Sequence, residues 1–378
     1  KHKGDNMGER FQLKIAGEDL NKGIKDFLLQ IMEKSEINNI VLPLFIPSIN
    51  NVYPTLIKKK ELLEDARPVA PVLPVSTATM VSRITKFAPS PERILVFLKP
   101  CELRTLLELT KFKQATLDNL ILVSYDCMGA YKTEFYEEAL SSGKTIDADY
   151  ISKNLLKGEQ DENIRDACKL CENFFPTNFA DIGIGFIGAD GGMLIEANTD
   201  KGKEILANLG LEKTEAKERD EKLEKMSVER KGKWEKIKEE TKKEVMGIEG
   251  LTKYFSKCID CHNCMGQCPI CFCKECFWES PTFEFTPLNF LGWAERKGAV
   301  KLPTDTIFFH LGRLSHMSTS CIGCGLCSDA CPKEIKVYEL FHLVSDETQA
   351  AFDYKPGRDL EEEAPLVTFK EDELKEMG

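Results

Sequence analysis

Cysteine spacing carries the most specific chemical signal in this sequence. Cys258, Cys261, Cys264 and Cys268-Pro269 read C-x2-C-x2-C-x3-C-P, and Cys321, Cys324, Cys327 and Cys331-Pro332 repeat it. Three thiolates on one tight loop clasp three corners of a cubane, and the cysteine before proline turns toward the other cluster. The pattern predicts two [4Fe–4S] clusters. Cys258, Cys261, Cys264 and Cys331 would hold one; Cys321, Cys324, Cys327 and Cys268 would hold the other. C-x2-C pairs also suit tetrahedral zinc. Two complete copies, each closing on Cys-Pro, favour iron–sulfur. The 52 residues between the copies are many for a small ferredoxin. They include an apolar helical run, Thr306–His316, which suggests a larger, helical ferredoxin-like domain.

Seven further cysteines remain of the fifteen. Cys271, Cys273 and Cys276 crowd into six residues. They read equally as part of another cluster or as packing cysteines with a free thiol. Cys101 and Cys127 each follow an apolar strand-like run, at the strand edge where open α/β sheets build their sites. Cys101 also opens a helix, whose dipole is expected to lower its thiol pKa. Cys168 and Cys171 add a C-x2-C pair. From spacing alone, these four are either a third [4Fe–4S] site or structural cysteines.

The elements that must position these residues follow from periodicity. Leu20, Ile24, Phe27, Leu28 and Ile31 share one face of a helix over Asp19–Lys34. Ile40–Leu42, Ile94–Leu98, Leu120–Val123 and Asp181–Phe186 read as strands, and Glu102–Lys113 as a helix. Strand–helix alternation predicts a mainly parallel sheet over residues 1–200. Gly188–Gly192 is a tight hairpin or a close approach to a cofactor. Residues 201–250, rich in Lys and Glu, read as a solvated helical connector docked by Trp234 and Ile237. Residues 251–345 form a helical α+β dicluster ferredoxin-like domain. Residues 346–378 form an acidic tail with 11 acidic and 4 basic side chains, extended or wrapped on a neighbour.

Net charge is −11 over 378 residues, with no basic stripe, so nucleic-acid binding is not expected. No apolar run is long enough for a transmembrane helix. No signal-like segment follows the basic start, so a cytoplasmic place is expected. Thiolate clusters imply an anaerobic host.

Larger segments carry a resemblance. Lys99-Pro100-Cys101-Glu102-Leu103-Arg104, Lys113-Gln114-Ala115, Asp126-Cys127, Cys168-x-x-Cys171 and Ala180-Asp181-Ile182-Gly183-Ile184-Gly185 with Gly188 resemble the beta-subunit family of coenzyme F420 hydrogenases and dehydrogenases. The run Cys268–Cys276 resembles the formate dehydrogenase beta subunits of that family. The resemblance covers most of residues 10–345. It implies an α/β domain holding FAD and a [4Fe–4S] cluster on Cys101, Cys127, Cys168 and Cys171, hence three clusters in all. It implies electron transfer between FAD, served by a two-electron donor such as reduced F420, and the clusters. The expected partners are formate dehydrogenase alpha-like or heterodisulfide reductase-like subunits. Family members often open an N-terminal helix with Cys-Gly-Gly; here Gly17-Glu18-Asp19-Leu20 stands there. No GxGxxG follows a strand, so a Rossmann NAD site has no support. Flavin contacts are sought at Ser76, Thr77, Ala78 and Thr79, which read equally as a helix start. Formate oxidation would need a molybdenum or tungsten centre, for which this chain has no recognisable domain. The alternative is a pure electron relay without its own substrate site.

Overall fold

The computed structural model describes residues 8–15, 19–189, 192–298 and 305–368. Gly17 and Glu18 of the variant helix start, and Asp190 and Gly191 of the glycine-rich turn, lie outside them. The described chain divides into two units, and the division falls inside the helix Lys217–Glu244, after Trp234. The first unit also takes Ile322–Gly325 and Pro356–Glu363.

The first unit is built on an eight-stranded sheet in the order β3-β2-β4-β5-β6-β7-β1-β8. The strands are β1 Glu9–Lys14, β2 Asn39–Ile46, β3 Asn51–Ile57, β4 Ile94–Leu98, β5 Leu120–Tyr125, β6 Ile182–Gly185, β7 Gly192–Ala197 and β8 Glu212–Lys213. β2, β4, β5 and β6 are parallel, with Ile94 opposite Leu120 and Val123 opposite Ile182. β4 and β5 are buried along their whole length, as parallel strands covered on both faces must be. The other pairings are antiparallel, so the sheet is mixed and not mainly parallel. The sequence reading lacked β1, β3, β7 and β8. β1, with its partly exposed ERFQLK, gives no apolar run. β3 carries Pro54, which an edge strand tolerates because its outer amides face no partner.

Helix α1 Leu20–Lys34 starts where Asp19 caps the amide of Lys22 at 3.0 Å and buries Ile24, Phe27, Leu28 and Ile31. α2 is Thr77–Thr85, and α3, Pro100–Lys111, follows β4 directly. On either side of the glycine-rich segment β6 and β7 pair antiparallel, and the amide of Gly192 donates to the Ala189 carbonyl at 3.0 Å.

The charged connector differs from expectation in burial. Trp234 is buried and Ile237 half-buried, but Arg219 and Arg230 are buried as well. Arg219 lies under β6, where a Cβ on Gly185 would stand 2.6 Å from its Cζ. Gly185→Ala must push the guanidinium off its partners. The expected loss is about 1–3 kcal/mol, the usual cost of overpacking, read as a lower urea midpoint.

The second unit is helical among its described residues, with no strand, unlike the α+β expectation. Helices Gly247–Tyr254, Thr306–Met317 and Val337–Ala351 flank the cysteine loops along the chain. Asp346 and Glu347, read as the start of an acidic tail, lie within the last of these helices and pair with Lys238. Farther on, the amide of Gly357 donates to Glu108 at 2.7 Å within the first unit. Residues 369–378 lie outside the described residues. No described helix is long and apolar enough to cross a membrane.

Candidate metal centres

Three segments of the first unit bring Cys101, Cys127, Cys168 and Cys171 together. β4 ends at Leu98, and Pro100, pre-set for a first helical turn, starts α3 with Cys101 beside it. The Glu102 carboxylate accepts from the amides of Lys99 at 2.8 Å and Thr77 at 2.6 Å, which ties the starts of α3 and α2 together. β5, parallel to β4, ends next to Asp126-Cys127 at the same sheet edge. Asp126 accepts from the amides of Phe186 at 2.8 Å and Ile187 at 3.0 Å. The Cys127 amide donates to Phe174 at 2.7 Å. Cys168 and Cys171 flank one turn, closed by the Cys171 amide on the Cys168 carbonyl at 3.3 Å. Gly129, at φ 117°, keeps the approach open, since a Cβ there would meet Cys168 at 3.0 Å.

These thiols lie near enough to one another to interact electrostatically. Burial pushes Cys127 up to about 11, with Cys168 and Cys171 adding to it and Lys99 opposing. Burial, then Glu102, Cys127, Cys324 and Cys171, hold Cys101 well above the ordinary thiol range. The expected dipole-lowered thiol at Cys101 is therefore not found: desolvation and neighbouring anions outweigh the helix start. Burial likewise raises Cys171, against Arg230. Such a group of thiols needs added positive charge to ionise, which bound iron supplies. Protein cations stand nearby. Arg165 Nη2 lies 3.5 Å from Cys168 Sγ. Arg230 donates to the Cys171 carbonyl at 3.1 Å and stacks on Phe174 at 4.1 Å. Lys99 Nζ is buried between Tyr125 Oη at 2.9 Å and the Ala70 carbonyl at 3.1 Å.

In the second unit, Cys258, Cys261, Cys264 and Cys331 line one pocket, the set that the crossed ferredoxin pattern requires. The loop reaches it through two left-handed residues, Asp260 at φ 55° and His262 at φ 57°. The second motif repeats this backbone with Gly323 and Gly325, both at φ 74°. Glycine adopts that conformation freely, while aspartate and histidine are strained in it by roughly 1–3 kcal/mol. A short helix follows each loop, Asn263–Gly266 and Leu326–Asp329.

The helix Thr306–Met317 lies over the first loop. His310 Nε2 is 3.5 Å from Cys258 Sγ, and its ring stacks on Phe255 at 3.7 Å. Burial, then Arg313, pushes His310 down to about 3, so it is neutral. Arg313 Nη1 donates to Cys264 Sγ at 3.0 Å. Burial raises Cys264 to about 11 against that cation. His262 stacks on Phe309 at 4.1 Å, with its Nε2 3.4 Å from Asp260 Oδ1.

Cys268 and Cys271 adjoin Met317, at 3.9 Å and 3.6 Å between sulfurs. Cys271 donates to Cys268, so Cys268 ionises first, well below the ordinary thiol value. Cys276 packs 3.8 Å from Met265, and Cys273 is exposed. These three therefore spread over different neighbours. No three Cys, His, Asp or Glu side chains among the described residues converge on a single ion. A cubane is held at its corners by thiolates set apart, and the all-thiol donor sets beside buried cations fit it.

Ser76 and Thr77 open α2, and Thr79 is half-buried. The Thr77 amide is taken by Glu102, while Ser76 Oγ is buried without a hydrogen-bond partner.

The sequence reading missed Arg165, Arg219, Arg230 and Arg313. Arg313 had a signal, an arginine among the apolar residues of Thr306–Met317; Arg230 had none in its charged helix.

Two family models match the chain: the C terminus of the coenzyme F420 hydrogenase/dehydrogenase beta subunit, over residues 91–222, and the 4Fe-4S binding domain, over residues 316–336. The F420-dependent formate dehydrogenase 1 subunit beta of Methanococcus maripaludis is 31% identical over an alignment spanning 92% of this chain and 89% of that protein. The chain belongs to the coenzyme F420 hydrogenase/dehydrogenase beta-subunit family. Another relative, the F420-dependent formate dehydrogenase subunit beta of Methanocaldococcus jannaschii, is 29% identical over 71% of this chain and 74% of its own. A chain in a structure of the F420-reducing [NiFe] hydrogenase complex from Methanosarcina barkeri aligns with 16% identity and a TM-score of 0.43, covering 64% of this chain and 95% of that one. The first family match spans the α3–β5 edge with Cys101, Cys127, Cys168 and Cys171, and the second spans Cys321–Cys331. This member of the beta-subunit family is an iron–sulfur protein.

Proposed function

We propose that this chain is an iron–sulfur flavoprotein subunit that passes electrons between a two-electron donor and three [4Fe–4S] clusters. The observation that carries the reading is the meeting of Cys101, Cys127, Cys168 and Cys171 at the carboxyl edge of β4 and β5. One cluster belongs there. The others belong to Cys258, Cys261, Cys264 and Cys331, and to Cys321, Cys324, Cys327 and Cys268.

FAD, when bound, takes an electron pair as hydride and releases single electrons. This chain's part is placement. Ser76 offers its unpartnered Oγ and Thr79 its half-exposed hydroxyl to the cofactor, while Thr77 holds α2 against Glu102. Arg165, Arg230 and Lys99 supply fixed positive charge around the neighbouring thiolates. Reduced F420 is the donor that the names of the relatives support. The partners are a formate dehydrogenase alpha-like or a heterodisulfide reductase-like subunit, where the substrate chemistry absent from this chain would reside.

A pure relay is the second reading. The Glu102 carboxylate at the start of α2 favours it, because it occupies an amide that could otherwise meet a flavin phosphate. Flavin released by acid from the anaerobically isolated complex separates the two. About one FAD per chain, with oxidation of reduced F420, is expected. Absence of flavin leaves the relay.

A further inference from the structure

Arg313 lies on the helix inserted between the two cysteine motifs and is 2% exposed. It donates to Cys264 Sγ and to the Cys264 carbonyl, each at 3.0 Å. The guanidinium also faces the rings of Phe341 at 4.7 Å and Phe309 at 5.6 Å. Among the described residues it has no carboxylate partner. Burying a cation without a counter-charge is costly, so something at this position must be negative. The groups around it are sulfurs. Cys264 is nearest, and Cys268, Cys271 and Cys327 follow in their electrostatic effect on it. Cys264 belongs to one predicted ligand set, and Cys268 and Cys327 to the other.

We infer that Arg313 is a potential-setting residue, a permanent buried cation that makes the cluster on Cys258, Cys261, Cys264 and Cys331 easier to reduce. The inference rests on reading that set as a cluster site. Reduction adds one electron, and with it one negative charge, to a cubane already carrying four thiolates. Arg313 gives up no proton and takes no electron. Its fixed charge and its N–H donation to Cys264 Sγ stabilise the reduced form more than the oxidised one. Interactions between charges at hydrogen-bonding distance in a buried site exceed a factor of ten in an equilibrium. His310 Nε2, one turn earlier on the same helix, stands against Cys258 Sγ. Two side chains at i and i+3 thus address two sulfurs of one set. The charge also acts, through space, on the set that includes Cys268 and Cys327.

The test is a potentiometric titration of the full chain in its isolated complex, followed by electron paramagnetic resonance, with iron counted in every sample. Arg313→Gln removes the charge. The reduction equilibrium of the affected cluster is expected to shift at least tenfold toward the oxidised form, about 59 mV lower for a one-electron couple. Arg313→Met, which fills the same space between the two phenyl rings, should give the same shift. Unchanged potentials at wild-type iron content overturn the inference. Should neither neutral variant hold its iron, Arg313→Lys decides. Lysine keeps the charge on a more mobile stem without the forked donors, so a shift of less than tenfold is expected, and a shift of tenfold or more with the charge retained overturns the role of the charge. Wild-type protein that carries no iron in the motif region would instead defeat the cluster reading itself.

Discussion

Cys168→Ser is expected to remove one cluster and spare two: about eight iron atoms per chain in place of about twelve. The expectation follows from where the four thiols come from. Cys101 lies in the first turn of α3, Cys127 follows the end of β5, and Cys168 and Cys171 share one turn. All four belong to the first unit, and the ligand sets proposed for the other two clusters include none of them. Serine offers a poorer, harder donor at that corner, while Arg165, 3.5 Å from the lost sulfur, keeps its charge. The ferredoxin-type signals at Cys258–Cys264 and Cys321–Cys327 should persist. Iron analysis and electron paramagnetic resonance on anaerobically purified protein read the result. Wild-type protein with about eight iron atoms would remove the third site. About sixteen would bring Cys271, Cys273 and Cys276 into ligation, against their separate packing next to Met317 and Met265.

Asp126→Ala should have the largest effect on stability. Asp126 is fully buried and accepts from two amides and from both terminal nitrogens of Arg219, at 2.5 Å and 2.8 Å. Burial lowers the Arg219 pKa, but Asp126 and then Glu196 outweigh it and raise the value above the ordinary one. Removing the carboxylate leaves a buried guanidinium with Glu196 at 3.4 Å and the Ile187 carbonyl. Breaking one side of such a pair costs about 3–5 kcal/mol. The adjacent residue is Cys127, so iron should be lost from the first-unit cluster as well. Asp220→Ala is the comparison. Asp220 also pairs with an arginine, Arg10 at 2.7 Å, but its side chain is 42% exposed. An exposed pair contributes under about 1 kcal/mol. Urea midpoints followed by far-ultraviolet circular dichroism test the contrast, and equal losses in the two variants would contradict it.

The cysteine motifs were legible from sequence because cluster ligation is a local constraint. The C-x2-C-x2-C spacing can only be a tight loop, and the repeated positive φ at Asp260 and His262, then at Gly323 and Gly325, is that loop. β4 and β5 were legible for a related reason: strands buried on both faces must be continuously apolar. α1 declared itself by a single apolar stripe and the Asp19 cap.

What the tertiary structure decided was the fate of charge and of half-buried strands. β1 and β8 have too few buried positions to announce themselves, and become strands only because β7 offers β1 an edge and β1 in turn offers one to β8. Arg219 and Arg230 look like any surface arginine by composition, and Arg313 differs only in its apolar neighbours. Each is buried because its partner lies far along the chain, Asp126 at a separation of 93 residues, Cys171 at 59 and Cys264 at 49. A cation's burial depends on which anion or carbonyl the fold brings against it, and that pairing is a property of three-dimensional contact, to which local spacing is blind.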